Sequence, residues 1–247
     1  MRYQKIYFAH QESLCVFPDE LTNLAQAASE LRLEGSYSVV VLIGGEIDVQ
    51  QAEVTGLAIR TIAKIAENIH AVMICGGTDM GIMAEIGQVR QQNHYKFPLI
   101  GIAPEELVSW PGGPHSTKFL WWGKQRWRLA PHYSHFLLVP GKQFGDESPW
   151  IADAATLLSK GHRAVTMLIN GGEVSRADIE LSLAMGRPVI VLSRTGRLAD
   201  ELASQPDRDG LIKIIPGNME QRIVDGVQAA LSVKEIRMPA QAFISTT

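Results

Sequence analysis

Glycines and small polar residues follow apolar runs at four places along this chain of 247 residues. The four stretches are Gly44-Gly45, Gly76-Gly77-Thr78-Asp79-Met80-Gly81, Gly171-Gly172-Glu173-Val174-Ser175 and Ser193-Arg194-Thr195-Gly196-Arg197. Each one precedes an amphipathic segment. Glycine lets a backbone approach a ligand closely, and the free N–H groups at a helix start suit an anion. The pattern therefore predicts a cleft that binds a phosphate or a nucleotide.

Neither of the two common nucleotide motifs is present. The stretch from Gly76 to Gly81 is not the G-x-G-x-x-G fingerprint, which also needs a position after the first strand and an acidic residue for the ribose. No G-x-x-x-x-G-K-[ST] phosphate loop occurs either. An ordinary NAD dehydrogenase and a P-loop NTPase are therefore excluded.

Side chains within these turns supply the remaining contacts of the predicted cleft. Thr78 and Ser175 offer hydroxyl donors beside backbone N–H groups, and Arg197 offers a guanidinium that can pair with a diphosphate. Glu46 or Glu173 can accept hydrogen bonds from ribose hydroxyls. The glycine pair at 44–45 leaves room for the ribose or the base.

Each of these assignments has a purely structural alternative. Arg197 and Asp200 are spaced to form a surface ion pair on a helix. The two glutamates can be charges that favour a helix start, and the two hydroxyl residues can be helix caps. Both interpretations stay open from the sequence.

Other kinds of site are not expected. His132 and His135 flank Tyr133 on an extended segment, which turns the imidazoles to opposite sides, and no Cys or carboxylate stands at metal-ligand spacing. No G-x-S-x-G elbow indicates a serine triad. We therefore expect no metal and no cofactor.

Apolar runs alternate with longer amphipathic segments from residue 38 onward. Predicted strands cover 38–45, 71–77, 97–104, 135–141, 164–172, 187–196 and 211–217, and predicted helices cover 48–68, 82–91, 148–161, 175–186, 197–204 and 219–231. Continuous apolar strands need cover on both faces, which predicts an α/β fold with a doubly wound, mostly parallel sheet and helices on both faces. Ligands bind such sheets beyond the carboxyl ends of the strands, where the four glycine turns would meet.

Residues 105–134 interrupt this alternation. The segment contains Trp121, Trp122 and Trp127, with Arg126 and Arg128 interleaved. These side chains can stack on a nucleotide base, or they can anchor the loop on the core or on a second subunit. Farther on, Lys142 and Phe144 are candidate covers of the cleft.

No internal boundary is visible, so we expect one domain over residues 1–247, with a loose tail at 238–247. Apolar residues make up 46% of the chain and the net charge is −3, which offers no broad attraction to nucleic acid or an anionic membrane. Two cysteines cannot form a disulfide framework. Without a run of about 20 apolar residues or a signal-peptide pattern, the sequence predicts a reduced, cytoplasmic protein.

The stretch "CGGTDMGIMAEIGQ" resembles the GGG-x-x-G-hydrophobic-M turn of the LOG proteins, which are Rossmann-like phosphoribohydrolases. "INGGEVSRADIE" lies where that family has PGG-x-GT-x-x-E. "GIAPEELV", "HYSHFLLVPG" and the segment from Ala164 to Ala203 make the chain more similar to the LSDAT branch of the SLOG superfamily, found in TRPM channels and in free-standing prokaryotic proteins. This resemblance covers roughly residues 38–204.

The LSDAT resemblance implies a Rossmann-like fold and a nucleotide-derived ligand, with ADP-ribose or a related NAD product favoured. SLOG domains in bacteria are often sensor modules, and related proteins pair through helices. The resemblance therefore implies a sensor that forms a homodimer.

The second LOG motif is altered in this chain. Asn170 replaces the proline, Val174 the third glycine, Ser175 the threonine and Asp178 the glutamate. The helix expected at 148–160 also lacks the arginine that LOG enzymes carry. These changes favour binding without turnover, and they leave Asp178 as the catalytic carboxylate if the protein is an enzyme.

The sequence is therefore consistent with three functions. The first is a sensor of an ADP-ribose-like molecule, and the second is a hydrolase of a nucleotide N-glycosidic bond. The third is an interaction module with a vestigial cleft.

Overall fold

The computed structural model describes residues 1–115, 125–161, 163–205 and 210–232. Nine strands form one sheet in the order β1-β2-β8-β5-β4-β3-β9-β10-β11. Their bounds are β1 Arg2–Phe8, β2 Gln11–Phe17, β3 Val39–Gly44, β4 Val72–Gly76, β5 Leu99–Pro104, β8 His135–Val139, β9 Ala164–Ile169, β10 Val189–Ser193 and β11 Ile212–Pro216. The short strands β6 Val108–Ser109 and β7 Trp127–Arg128 pair separately.

Seven α-helices of the described residues cover both faces of this sheet. They are α1 Leu24–Glu30, α2 Ala52–Asn68, α3 Gly81–Gln92, α4 Ser148–Ser159, α5 Glu173–Ala184, α6 Arg197–Ala203 and α7 Glu220–Ser232. Buried side chains of α2, α3 and α7 pack on one face, and those of α1, α4, α5 and α6 pack on the other. The predicted doubly wound α/β fold is confirmed.

The strands of the large sheet from β3 onward agree with the apolar runs, although each is shorter than the run that predicts it, and the short pair β6–β7 was not predicted. Fully buried strands such as β3 and β9 have no polar face, because helices cover both sides. The N-terminal hairpin β1–β2 and the helix α1 were not predicted. The hairpin is antiparallel, and β2 joins the parallel part of the sheet through β8.

The strand order reverses at β3. Going one way from β3 the chain places β4, β5 and β8, and it then returns to place β9, β10 and β11 on the other side. The carboxyl end of β3 is therefore the switch point at which doubly wound sheets leave a crevice.

Arg187, which stands just before β10, holds α4 and α5 together. Its side chain is 1% exposed, and its guanidinium donates to the carbonyl oxygen of Ala152 at 2.7 Å and to Thr156 Oγ1 at 2.9 Å, both on α4. A third bond reaches Ser182 Oγ on α5 at 3.3 Å. Because a buried charge needs such partners, Arg187 fixes how the two helices meet.

Two regions discussed above fall outside the described residues, namely Trp121 with Trp122, and the tail at 238–247. Within the described ranges, every helix is too short or too polar to cross a membrane.

Candidate functional site

A cavity of about 330 Å³ opens at the carboxyl ends of β3, β4 and β5. It lies at the switch point of the sheet and between the amino ends of α3, α4 and α5. Its walls are made by Leu42, Ile43, Gly44, Gly45, Glu46, Gly76, Gly77, Thr78, Met80, Met83, Ile102, Ala103, Trp127, Phe144, Glu147, Ile151, Val174, Ser175 and Asp178.

Large apolar side chains make much of the wall. Met83 comes from α3 and Ile151 from α4, while Trp127 comes from β7 and Phe144 from the loop after β8. The rings of Trp127 and Phe144 meet edge to face, with centroids 5.0 Å apart and planes at 76°. Such a wall suits a flat, partly apolar group.

The structure brings many of the predicted site residues together. Eight of them line the cavity, namely Gly44, Gly45, Glu46, Gly76, Gly77, Thr78, Ser175 and Asp178. The others do not contribute to its wall, namely Gly81, Gly171, Gly172, Glu173, Gly196 and Arg197. In the described parts of the chain, no three His, Cys, Asp or Glu side chains group as metal ligands.

The turn after β4 is bonded into the protein through its backbone. The N–H of Asp79 donates to the carbonyl oxygen of Arg128 at 2.8 Å, and the N–H of Ile82 donates to that of Gly45 at 3.1 Å. Gly81 has φ of +50°, and a Cβ there would lie 2.2 Å from the Gly45 oxygen. Glycine is therefore required at position 81 for close contact between two protein segments.

The turn after β9 presents side chains instead. Gly171 has φ of +93°, which reverses the chain sharply before α5 begins at Glu173. Ser175 and Asp178 lie on the first turns of α5 and line the cavity. Asn170 anchors this turn, since its backbone N–H donates to Thr195 Oγ1 at 2.9 Å and its side-chain amide donates to the Thr195 carbonyl oxygen at 3.1 Å.

Arg197 lies beside the cavity, between two of the glycine turns. Its Nη1 would be 3.4 Å from a Cβ on Gly45, and its Nη2 would be 3.1 Å from a Cβ on Gly172. The side chain is exposed and forms no ion pair with another described residue. The expected partner, Asp200, instead accepts backbone N–H bonds from Arg194 and Gly196. The guanidinium is thus available to an anion at the mouth of the cavity.

The two glutamates that were predicted to accept ribose hydroxyls are both solvent-exposed. Glu46 lines the outer part of the cavity. The side chain of Glu173 is 92% exposed, and its carboxylate lies 4.0 Å from Arg176 Nε. Glu173 therefore acts as a surface charge at the start of α5 in this structure.

Glu147 is a lining residue that the sequence did not single out. It immediately precedes α4, is 7% exposed, and accepts a hydrogen bond from the Gly145 N–H at 2.7 Å. Burial raises the pKa of Glu147 to about 7, and the charge of Asp178 contributes to that rise.

Asp178 is the second buried carboxyl group of the cavity wall. It is 8% exposed, and burial raises its pKa to about 6. Ser148 Oγ lies close enough to offset part of this rise, but the two groups are not in hydrogen-bond geometry, and neither Asp178 Oδ1 nor Ser148 Oγ has a hydrogen-bond partner among the described residues. Of the two, Asp178 lines the cavity, so its Oδ1 can accept a hydrogen bond from water or from a bound molecule.

Sequence reasoning missed Glu147 because a glutamate before Ser148-Pro149 has the pattern of an ordinary helix start. Thirty-one positions separate it from Asp178 (178 minus 147), and only the packing of α4 on α5 brings the two together.

Comparison with solved structures supports the fold. The chain is similar to the X-ray structure of TM1055, a structural genomics target, with 20% identity, a TM-score of 0.53, and coverage of 78% of this chain and 99% of that one. It also matches the molybdenum cofactor carrier protein MCP from Chlamydomonas reinhardtii at 15% identity, with a TM-score of 0.49 and the same coverages. The support for the fold comes from TM1055, and at 20% identity that likeness concerns the fold alone.

No curated protein sequence matches this chain. A family model does, and its match spans residues 37–235, from the residues before β3 to beyond α7. That span includes every residue of the cavity wall. The chain belongs to the LSDAT_prok family, described as SLOG in TRPM, prokaryote.

Proposed function

We propose that this protein binds a nucleotide-derived ligand in the cavity at the switch point and acts as a sensor of that ligand. ADP-ribose or a related NAD product is the favoured ligand, because the LSDAT resemblance implies it. The observation that carries the proposal is the contrast between the interior of the cavity and its mouth. The interior is largely apolar, and the guanidinium of Arg197, which has no ion pair among the described residues, stands at the mouth.

The size of the cavity suggests how such a ligand would lie. About 330 Å³ is near the lower end of the roughly 300–1,000 Å³ typical of small-molecule sites. It suits a nucleoside-sized group better than a whole dinucleotide. The ring pair of Trp127 and Phe144 would contact the base or the sugar, and the phosphates would lie outward towards Arg197.

Isothermal titration calorimetry tests the proposal with ADP-ribose, cyclic ADP-ribose, NAD and AMP. We expect at least one of them to bind below millimolar concentration. Failure of all four would contradict the proposal and would favour the interaction module with a vestigial cleft.

Arg197→Gln provides the matching variant. Loss of a charge-assisted contact to phosphate should weaken binding about tenfold or more. Arg176→Gln is the control, because Arg176 is already paired with Glu201 at 2.9 Å on the outer side of α5. An equal loss in both variants would show that general charge, and not Arg197, attracts the ligand.

Cleavage of an N-glycosidic bond is the second candidate function, and the two buried carboxyl groups favour it. A carboxyl with a raised pKa can donate its proton to the departing base, and an ionised neighbour can stabilise the oxocarbenium-like transition state while water attacks the anomeric carbon. Water supplies the hydroxyl group of the sugar product, and its remaining proton restores the acid.

Chromatography of each nucleotide after incubation separates the two functions. A sensor leaves the four nucleotides intact, whereas a hydrolase releases free base over time. Any such release should be abolished in Asp178→Asn. A homodimer also remains a proposal, for which sedimentation velocity is the direct measurement.

A further inference from the structure

The inner end of the cavity carries acceptors and not cations. Glu147 and Asp178 lie there at 7% and 8% exposure, at the amino ends of α4 and α5. Among the described residues, no Lys, Arg or His lines the cavity. An anionic group placed at this end would meet two carboxyl groups in a medium of low polarity, where repulsion between like charges is strong. A phosphate therefore does not suit the inner end.

Hydrogen-bond acceptors at this end are left unused. Glu147 uses one carboxyl oxygen for the N–H of Gly145, while Asp178 Oδ1 is buried and accepts no hydrogen bond from any residue that the structure describes. Glu147 and Asp178 can thus each take a donor from a ligand, and a pair of adjacent hydroxyls presents two donors side by side.

We infer that Glu147 and Asp178 together bind the vicinal hydroxyls of a ribosyl group and so select ribonucleotides over deoxyribonucleotides. The inference rests on the proposed function and deepens it, since it assigns the buried end of the ligand. In this assignment the ribose hydroxyls bond to two buried carboxyl groups and not to the exposed Glu46 and Glu173. Buried acceptors discriminate more strongly, because an absent hydroxyl leaves them unpaired and away from water.

Calorimetry with matched ligands tests this assignment on the full chain. AMP and ADP-ribose would each be compared with their 2′-deoxy and 3′-deoxy forms on the adenosine side. We expect removal of a hydroxyl to weaken binding about 10- to 100-fold in the unaltered protein. Equal affinity for the ribo and deoxy forms would overturn the inference and leave the proposed function standing.

Glu147→Gln and Asp178→Asn keep the shape of the site and remove a carboxylate acceptor. In each variant the ratio between ribo and deoxy affinities should fall to within about threefold of unity. Glu180→Gln is the control, because Glu180 is an exposed residue of α5 outside the cavity wall, and it should preserve the ratio. Thermal melting of each variant establishes that it is folded before its affinities are compared. Discrimination that survives both cavity substitutions would overturn the assignment.

An exocyclic amine is the competing donor for the same acceptors. Inosine monophosphate, which lacks the amine of AMP, separates the two. If the variants erase the preference for AMP over inosine monophosphate and leave ribose discrimination intact, the pair binds the base and the inference is wrong. If none of the nucleotides binds, the proposed function itself fails and the inference fails with it.

Discussion

The turns after β4 and β9 look alike in sequence and serve different purposes in the structure. Both follow a buried strand, contain paired glycines and start a helix of 12 residues. In the β4 turn, backbone groups of Asp79 and Ile82 bond to other parts of the protein. After β9, Ser175 and Asp178 of α5 face the cavity, and Asp178 Oδ1 has no hydrogen-bond partner among the described residues. Both regions therefore border the cavity, but backbone bonds tie the β4 turn to the protein, whereas the start of α5 offers a carboxyl oxygen that is left free.

The largest expected effect is a loss of stability when Gly81, which packs the β4 turn against Gly45, is replaced. Gly81→Ala places a methyl group 2.2 Å from the Gly45 oxygen at a residue with φ of +50°. Steric strain added to an unfavourable backbone conformation should lower the free energy of unfolding by about 3 kcal/mol or more. Chemical denaturation measures this change.

Gly161→Ala is the control for Gly81→Ala. Gly161 has φ of +74° and no neighbour within 4 Å of an added Cβ, so only the backbone cost of about 1–2 kcal/mol is expected. Similar losses in the two variants would mean that Gly81 is needed for its backbone angle and not for contact with Gly45.

The second prediction concerns the two acidic groups of the cavity wall, Glu147 before α4 and Asp178 on α5. The pKa of Glu147 rises from an ordinary 4.5 to about 7, so the folded protein binds more protons than the unfolded chain between these values. The free energy of unfolding therefore decreases as the pH rises through this window, and Asp178 adds a decrease between pH 3.8 and about 6. Glu147→Gln should raise stability at pH 8 by about 1–3 kcal/mol and flatten the pH dependence.

Denaturant titrations at pH 5 and pH 8 measure both quantities for the unaltered protein and the variant. Glu173→Gln, at a side chain that is 92% exposed, should change neither by more than about 0.5 kcal/mol. A Glu147→Gln variant that is less stable at pH 8 would show that the carboxylate has structural partners beyond the Gly145 N–H.

The third prediction addresses the anchor of the β9 turn. Thr195 is fully buried, and its Oγ1 accepts the Asn170 N–H at 2.9 Å and donates to the Leu192 carbonyl oxygen at 2.6 Å. Thr195→Val leaves both groups unpaired and should cost about 1–3 kcal/mol in unfolding experiments. Thr195→Ser retains the hydroxyl and should recover most of that loss. Equal losses in Thr195→Ser and Thr195→Val would show that the two hydroxyl bonds do not carry the effect.

The smallest expected effect is on nucleotide affinity, and it compares the β4 and β9 sides of the cavity directly. Ser175→Ala and Thr78→Val each remove one hydroxyl from the cavity wall, on the β9 and β4 sides respectively. We expect Ser175→Ala to weaken nucleotide binding about 3- to 10-fold and Thr78→Val to weaken it less, as measured by calorimetry. The opposite order would place the ligand against the β4 turn.

Strand and helix positions from residue 38 onward followed from the sequence, because alternating apolar runs and amphipathic segments leave few other arrangements. The N-terminal hairpin did not follow, since β1 is an edge strand with a mixed burial pattern and its apolar signal is weak. Most of the predicted glycine-turn residues came to one edge for the same topological reason, and this edge carries the cavity.

What the sequence by itself determined is the doubly wound fold, the edge of the sheet at which a ligand would bind, and the similarity to LSDAT proteins. Those features depend on local periodicity and on short motifs. The tertiary structure alone decided which residues of the turns line the cavity and which carboxyl groups share it. Glu147 and Asp178 meet because Arg187 and the packing of α4 on α5 bring two distant helix starts together. A pattern along the chain cannot encode the burial that raises the pKa of both carboxyl groups.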